Sequence, residues 1–217
     1  MDHSGRAATL AALATTLGVA AMLIGDRTGK RALEYVGKPA AALAFLGLGL
    51  HTHGVHDSSV TLALVFALVL SLVGDMCLMF PSETAFLGGL GAFLLGHVGF
   101  VAAFALRGVS TTALGVATPI CLVFLLTVWR HLGPHVPKSM VGPVIAYFCV
   151  IGSMLVAAIA TNADHAAPYV VAAAVSFAVS DLAVARQKFV SPNATNRLWG
   201  LPLYFGAQLL FAAHLTP

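Results

Sequence analysis

The chain has 217 residues, of which 59% are hydrophobic and only 9% are charged, with a formal net charge of +3. A soluble globular domain carries roughly 25% charged residues, so this chain has too few to cover a water-facing surface. The modest net charge is not gathered into anything that resembles a nucleic-acid-binding surface. The composition therefore predicts an all-α, polytopic integral membrane protein whose surroundings are the lipid bilayer.

Uncharged runs follow one another along the chain, and several reach the length of about 20 residues that a helix needs to cross a membrane. We predict eight transmembrane helices in a single domain over residues 1–217. The spans are 7–25, 33–50, 60–80, 85–106, 109–129, 141–161, 167–186 and 198–215. The first run follows one basic residue, Arg6, and lacks a clear cleavage site, so we interpret it as a span and not as a signal peptide.

The basic residues are distributed unequally between the two faces of the membrane in the eight-span topology. Cytoplasmic loops are enriched in Lys and Arg, and one side holds nine basic residues while the other holds two, Arg6 and Arg107. The nine are Arg27, Lys30, Arg31, Lys38, Arg130, Lys138, Arg186, Lys188 and Arg197. This predicts that both termini are non-cytoplasmic. The short loops and the many alanines favour a bacterial inner membrane.

Polar residues inside the predicted spans are few, and an ionisable residue inside a membrane is a functional candidate because its insertion costs about 2.5–3.5 kcal/mol. Asp75, His97 and Asp181 are the candidates for catalysis. Lys38, Tyr147, Arg186, Tyr204 and Gln208 are the candidates for substrate binding.

Depth in the membrane relates these candidates to one another. The predicted topology puts Asp75, Asp181, Tyr147 and Tyr204 one to two turns from the cytoplasmic face, with His97 and Gln208 deeper and Lys38 and Arg186 at the rim. One polar cluster that opens towards the cytoplasmic leaflet accounts for all of them. The alternative is that these residues only tie helices together through hydrogen bonds. The phenylalanines that share a stripe with His97, including Phe93 and Phe100, are expected to pack helices.

A second polar group, made of His51, His53, His56 and Asp57, lies in a predicted loop on the opposite side. Metal sites need ligands that converge in a fixed geometry, and no Cys or Glu lies near by, so we do not predict a metal site there. A weak internal repeat also relates the two halves of the chain, since Asp75 and Asp181 each fall in the third span of a four-span half. The repeat suggests two parallel four-helix halves related by a pseudo-two-fold axis.

Short segments along most of the chain resemble the YhhN-like lysoplasmalogenase family. They are SLVGD at 71–75, FLLGH at 93–97, VSD at 179–181 with Lys188-Phe189 downstream, YFGAQ at 204–208, Lys38-Pro39, and 143–147. One departure is Phe100, where the family often has a tyrosine. The resemblance implies an enzyme that hydrolyses the vinyl ether bond of lysoplasmalogens, giving a fatty aldehyde and glycerophosphocholine or glycerophosphoethanolamine.

Two carboxyl groups can cleave a vinyl ether as a pair does in glycoside hydrolysis, one delivering a proton and the other stabilising the cation and activating water. The sequence does not decide which is the acid; we take Asp181 as the acid and Asp75 as the base. His97 would orient a carboxylate or water, or act as the base. Lys38 and Arg186 would pair with the lipid phosphate, and no cofactor or metal is required.

Three other functions are compatible with the same residues. The first is a proton-coupled small-molecule transporter, because intramembrane Asp and His residues also form proton relays. A carrier would need access from both faces of the membrane, whereas the predicted cluster is one-sided. The second is a metal-dependent hydrolase that uses His97, and the third is a non-catalytic helical scaffold.

Overall fold

The computed structural model describes residues 3–53 and 58–215, and these form eight long helices. They are α1 (His3–Thr28), α2 (Arg31–His53), α3 (Ser59–Cys77), α4 (Glu83–Arg107), α5 (Thr111–Leu132), α6 (Val141–His165), α7 (Pro168–Ala185) and α8 (Ala194–His214). Two short 3₁₀ turns (Gly133–His135, Lys138–Met140) connect α5 to α6, and a π-helical turn (Arg186–Val190) follows α7.

Seven of these helices, α1 to α7, are long and apolar enough to cross a membrane, which confirms an all-α membrane protein and comes close to the predicted count of eight. The eighth predicted span corresponds to α8, which is 21 residues long but begins four residues earlier than predicted and so includes Arg197. It also carries Tyr204 and Gln208. These polar side chains reduce the apolar character of α8.

Packing between helices follows the same plan in both halves of the chain. In the first half α1 packs on α2, α2 on α3, and α3 on α4; in the second half α5 packs on α6, α6 on α7, and α7 on α8. Two contacts join the halves in matching fashion, because α4 packs on α6 just as α8 packs on α2. This arrangement agrees with the predicted pair of parallel four-helix halves.

Close helix contact and an aromatic core hold the bundle together. A Cβ atom added to Gly18 of α1 would lie 2.5 Å from the carbonyl oxygen of Gly37 on α2, so the small residues let the two backbones approach. The largest fully buried side chains come mainly from α2, α4, α7 and α8: Phe45, Phe100, Phe104, Phe177, Phe205 and Phe211. Helix α5 is peripheral, with buried side chains at Ala117, Cys121 and Leu132 only.

Candidate active site

A cavity of about 310 Å³ lies at the end of the bundle where α2, α6 and α8 begin and α3 and α7 end. Most of its wall is apolar, and aromatic side chains such as Phe86, Phe93, Phe124 and Phe148 contribute to it. Both aspartates, Asp75 and Asp181, line the same cavity, as do Lys38, Tyr147 and Tyr204. An apolar cavity with a few convergent polar groups is the usual form of a small-molecule site.

Asp75 is buried near the end of α3 and is surrounded by hydrogen-bond donors. The Tyr204 hydroxyl donates to its Oδ2 at 2.7 Å, and the Lys38 ammonium lies 3.8 Å from its Oδ1. Gln208, one turn further along α8, donates to the Tyr204 oxygen at 3.3 Å. A neighbouring cation and a phenol that donates a hydrogen bond both favour the ionised, acceptor-only form of the carboxyl group that they contact.

Asp181, on α7, is in contact with a histidine and with the second tyrosine. The Tyr147 hydroxyl donates to Asp181 Oδ2 at 3.3 Å, and His97 Nε2 lies 3.4 Å from the same oxygen. Buried Nε2 makes no aligned hydrogen bond in the described part of the chain, so Asp181 is the ionisable group that faces it.

The contact of the other imidazole nitrogen, Nδ1, indicates whether the His97–Asp181 pair holds a proton between its facing atoms. His97 Nδ1 lies 2.7 Å from the carbonyl oxygen of Phe93, and a carbonyl only accepts, so Nδ1 carries a hydrogen. If Nε2 carried none and Asp181 were ionised, two acceptor atoms would face each other at 3.4 Å. One proton therefore belongs to the His97–Asp181 pair, either on the imidazole or on the carboxyl group.

Aromatic rings pack against the side chains that contact the two carboxyl groups. Phe177 lies 4.4 Å from the His97 ring and 5.2 Å from the Tyr204 ring, measured between centroids. Phe93 packs edge-to-face on Tyr204 at 5.6 Å. A Cβ atom on Gly74 would lie 2.6 Å from the Phe93 ring, so the glycine that precedes Asp75 makes room for this aromatic side chain.

Phe93 packs helices together, as the sequence predicts, and it also lines the cavity. Phe100, in contrast, lies in the core and is stacked on Phe211 at 4.3 Å between centroids. The position where the family often has a tyrosine is therefore a core position in this chain.

The rim of the cavity carries charged residues that are not among the predicted site residues. Arg197 at the start of α8 lies 2.7 Å from Glu34 and 3.4 Å from Asp26. Lys188 in the π-helical turn lies over the Phe86 ring, 4.5 Å from its centroid, and lines the cavity. The predicted rim residue Arg186 is exposed and does not line the cavity.

The structure thus brings seven of the eight predicted site residues into two connected groups, Lys38–Asp75–Tyr204–Gln208 and Tyr147–Asp181–His97. Arg186 is the exception. Glu34, Lys188 and Arg197 were missed because each is near a helix end, where charged residues are common, and the ion pair between Glu34 and Arg197 joins residues that are 163 positions apart.

Two residues of the other polar group, His51 and His53, form the last turn of α2 and not the predicted loop, at the end of the helix opposite Lys38. His51 is exposed, whereas His53 is buried and its Nε2 lies 2.8 Å from the carbonyl oxygen of Ala212. His56 and Asp57 lie outside the described residues. Within residues 3–53 and 58–215, no three His, Cys, Asp or Glu side chains are grouped as metal ligands would be.

Comparison with known proteins confirms the resemblance to the YhhN family. The sequence profile of the YhhN family matches residues 33–215, which include every member of the two connected groups. This chain belongs to the YhhN family. The match begins in α2, so α1 precedes the matched region.

The relatives include mammalian and bacterial proteins that are named lysoplasmalogenases. Lysoplasmalogenase TMEM86B of Mus musculus is 35% identical over 145 residues, which are 66% of this chain and 59% of that protein. A lysoplasmalogenase of Mycobacterium tuberculosis is 32% identical over 164 residues, 69% of this chain and 59% of that protein. The chain thus spans about three fifths of the length of these relatives. No solved structure gives a significant match.

Proposed function

We propose that this YhhN-family protein is a membrane-embedded hydrolase that cleaves the vinyl ether bond of lysoplasmalogens. The products are a fatty aldehyde and a glycerophospho-base such as glycerophosphocholine or glycerophosphoethanolamine. The names of the relatives support this substrate class. The observation that carries the proposal is the pair Asp75 and Asp181, which line one apolar cavity and have different partners, a lysine for Asp75 and a histidine for Asp181.

The reaction begins with proton transfer to carbon. A vinyl ether is cleaved once its β-carbon gains a proton, because the adjacent ether oxygen then stabilises the cation as an oxocarbenium ion. Asp181 acts as the general acid, because it shares with His97 a proton that it can deliver. The Asp75 carboxylate faces the developing positive charge and stabilises it electrostatically.

Water then completes the hydrolysis. It adds to the cationic carbon and gives a proton to Asp75, which forms a hemiacetal. The hemiacetal collapses when Asp75 returns this proton to the departing glycerol oxygen and the hemiacetal hydroxyl gives its own proton to Asp181. One water is consumed, the carbon–oxygen bond is broken, and both carboxyl groups return to their starting states.

The remaining polar residues hold these two groups in place. Tyr204 and Lys38 keep Asp75 ionised and oriented, and Gln208 fixes the Tyr204 hydroxyl. Tyr147 performs the equivalent role for Asp181. The apolar wall receives the hydrocarbon chain and keeps bulk water from the oxocarbenium ion. Every step as written uses only these side chains and water.

The distribution of basic residues supports an orientation for the site. The cavity rim, with Lys188 and Arg197, is at the end of the bundle that the excess of Lys and Arg predicts to be cytoplasmic. The substrate would therefore be drawn from the cytoplasmic leaflet of the membrane. We include in the proposal that the site opens to the cytoplasmic leaflet and that the membrane is a bacterial inner membrane.

Aldehyde release by the purified, detergent-solubilised protein tests the proposed activity. Wild type should convert a lysoplasmalogen to fatty aldehyde, with or without a chelator, whereas Asp75→Asn and Asp181→Asn should each lose about 10²-fold or more in kcat. Asp164→Asn is the matched control, because Asp164 is an exposed carboxylate outside the cavity.

Two results would contradict the proposal. One is a folded wild-type protein that releases no aldehyde, in which case proton-coupled uptake into proteoliposomes becomes the function to test. The other is undiminished turnover in both aspartate variants.

A further inference from the structure

Three cations line the cavity in the described part of the chain: Lys38, Lys188 and Arg197. Lys38 is buried, and its ammonium is paired with Asp75 at 3.8 Å. Arg197 donates to Glu34 through both terminal nitrogens, at 2.7 and 3.4 Å, and one of these nitrogens also lies 3.4 Å from Asp26. Two of the three positive charges are therefore already neutralised by carboxylates of the protein.

Lys188 is the third cation, and no carboxylate lies within ion-pair distance of it among the described residues. Its ammonium instead lies 4.5 Å from the centroid of the Phe86 ring. Phe86 is in turn held edge-to-face by Phe189 at 6.1 Å between centroids. Contact with an aromatic face orients an ammonium without neutralising its charge, so Lys188 is held over the cavity with its hydrogen-bond donors available.

Lys188 lies at the rim of the cavity whose wall also holds the two aspartates. It follows Asp181 by seven positions and belongs to the π-helical turn after α7. In a lysoplasmalogen a single glycerol unit joins the vinyl ether to the phosphate. A substrate with its vinyl ether at the two aspartates therefore carries its phosphate near the rim.

We propose that Lys188 binds the phosphate of the lysophospholipid head group and so positions the vinyl ether between Asp75 and Asp181. This subsite rests on the proposed function and names the part of the substrate that the cavity rim recognises. It assigns the phosphate to Lys188 and not to Lys38, which is engaged with Asp75, or to Arg186, which does not line the cavity.

Two substrates that differ only in the phosphate give the direct test. One is a 1-alkenyl lysophosphatidylcholine, and the other is the 1-alkenylglycerol with the same chain. Lys188→Gln should raise KM for the phospholipid about tenfold or more, since a charge-assisted hydrogen bond is lost, and should leave kcat/KM for the alkenylglycerol unchanged. Lys188→Arg should keep most of the phospholipid affinity.

Arg186→Gln is the matched control, because Arg186 is an exposed cation two residues away that does not line the cavity. Arg186→Gln should leave KM for the phospholipid and kcat/KM for the alkenylglycerol at their wild-type values. The inference is overturned if Lys188→Gln leaves the phospholipid KM unchanged, or if it affects the two substrates equally, which would indicate a structural role.

Binding separates this inference from the proposed activity. A saturated 1-alkyl lysophosphatidylcholine and the matching 1-alkylglycerol cannot be cleaved as vinyl ethers, so their Kd values report recognition alone. Wild type should bind the phosphate-bearing lipid about tenfold more tightly, and Lys188→Gln should remove the difference. If this binding pattern is found but the wild type releases no aldehyde, the phosphate site stands and the vinyl ether hydrolase is rejected. If the wild type binds the two lipids with equal Kd, the phosphate site is rejected.

Discussion

The two aspartates occupy matching positions in the two halves of the bundle, but they have different partners. Each is contacted by one residue from the preceding helix of its own half and one from the last helix of the other half. For Asp75 these residues are Lys38 and Tyr204; for Asp181 they are Tyr147 and His97. The repeated backbone plan supplies the positions, and the side chains make the two carboxyl groups unlike.

In the proposed mechanism, this difference is what lets a repeated fold hold an acid and a base at the same site. A lysine and a phenol around Asp75 favour a bare carboxylate, whereas a histidine with its Nδ1 hydrogen already engaged leaves one proton with the His97–Asp181 pair. Pairs of titratable groups whose surroundings favour opposite protonation states are typical of acid–base enzymes. The site lies where the halves meet, so neither half contains it alone.

The largest effect outside the aspartates is expected at His97, which shares the proton of the Asp181 half. His97→Gln can still form a hydrogen bond but cannot carry a mobile proton, so kcat for lysoplasmalogen should fall about 10²-fold with little change in KM. His131→Gln is the control, because His131 makes the same type of bond to the carbonyl oxygen four residues earlier, at 2.8 Å, but is exposed on α5. Equal losses in both variants would contradict the proton-sharing role.

A smaller and unequal effect is expected at the two tyrosines. The Tyr204 hydroxyl is 2.7 Å from Asp75, whereas the Tyr147 hydroxyl is 3.3 Å from Asp181. The hydrogen bond to Asp75 is the shorter one, and the proposed mechanism takes Asp75 as the ionised group, so Tyr204→Phe should lower kcat/KM about tenfold or more and Tyr147→Phe only a few-fold. Steady-state aldehyde release measures both values, with Tyr169→Phe at an exposed tyrosine as the control. The reverse order would mean that the assignment of acid and base is wrong.

Gly74, which precedes Asp75, should affect stability more than chemistry. Gly74→Ala places a Cβ atom within 2.6–3.0 Å of three Phe93 ring atoms, and such overpacking costs about 1–3 kcal/mol. The thermal midpoint of the detergent-solubilised protein should therefore fall. Gly91→Ala on α4 is the matched control, because nothing lies within 4 Å of an added Cβ there. If both variants have the wild-type midpoint, Phe93 does not depend on Gly74 for its position.

Much of the fold and of the polar network could be predicted because a membrane restricts polar residues so strongly. Asp75 and Asp181 stand out in uncharged runs, and the direction of each span gives their depth. Their partners could not be assigned from depth alone, since Tyr204 contacts Asp75 across 129 positions and His97 contacts Asp181 from the other half.

Which basic residue lines the cavity rim could not be predicted from the sequence. Arg186 and Lys188 are two residues apart, and an α-helical continuation of α7 gives no reason to prefer Lys188. The turn after α7 is instead π-helical, with the Ser191 N–H donating to the Arg186 carbonyl at 2.8 Å. A π-helical turn changes the direction in which successive side chains point, and here Lys188 lines the cavity while Arg186 does not. The predicted span at α8 is likewise less apolar than the others, because this helix carries Arg197 and the two polar residues of the Asp75 group, Tyr204 and Gln208.

Hydrolysis in deuterium oxide tests the central claim most directly, because protonation of the β-carbon leaves a solvent hydron in the product. Aldehyde that wild type releases and that is trapped as it forms should carry one deuterium on the carbon next to the carbonyl. Asp181→Asn should release almost none of this product. Aldehyde without deuterium at that carbon, or full deuterium incorporation by Asp181→Asn at the wild-type rate, would contradict proton delivery from the Asp181 half.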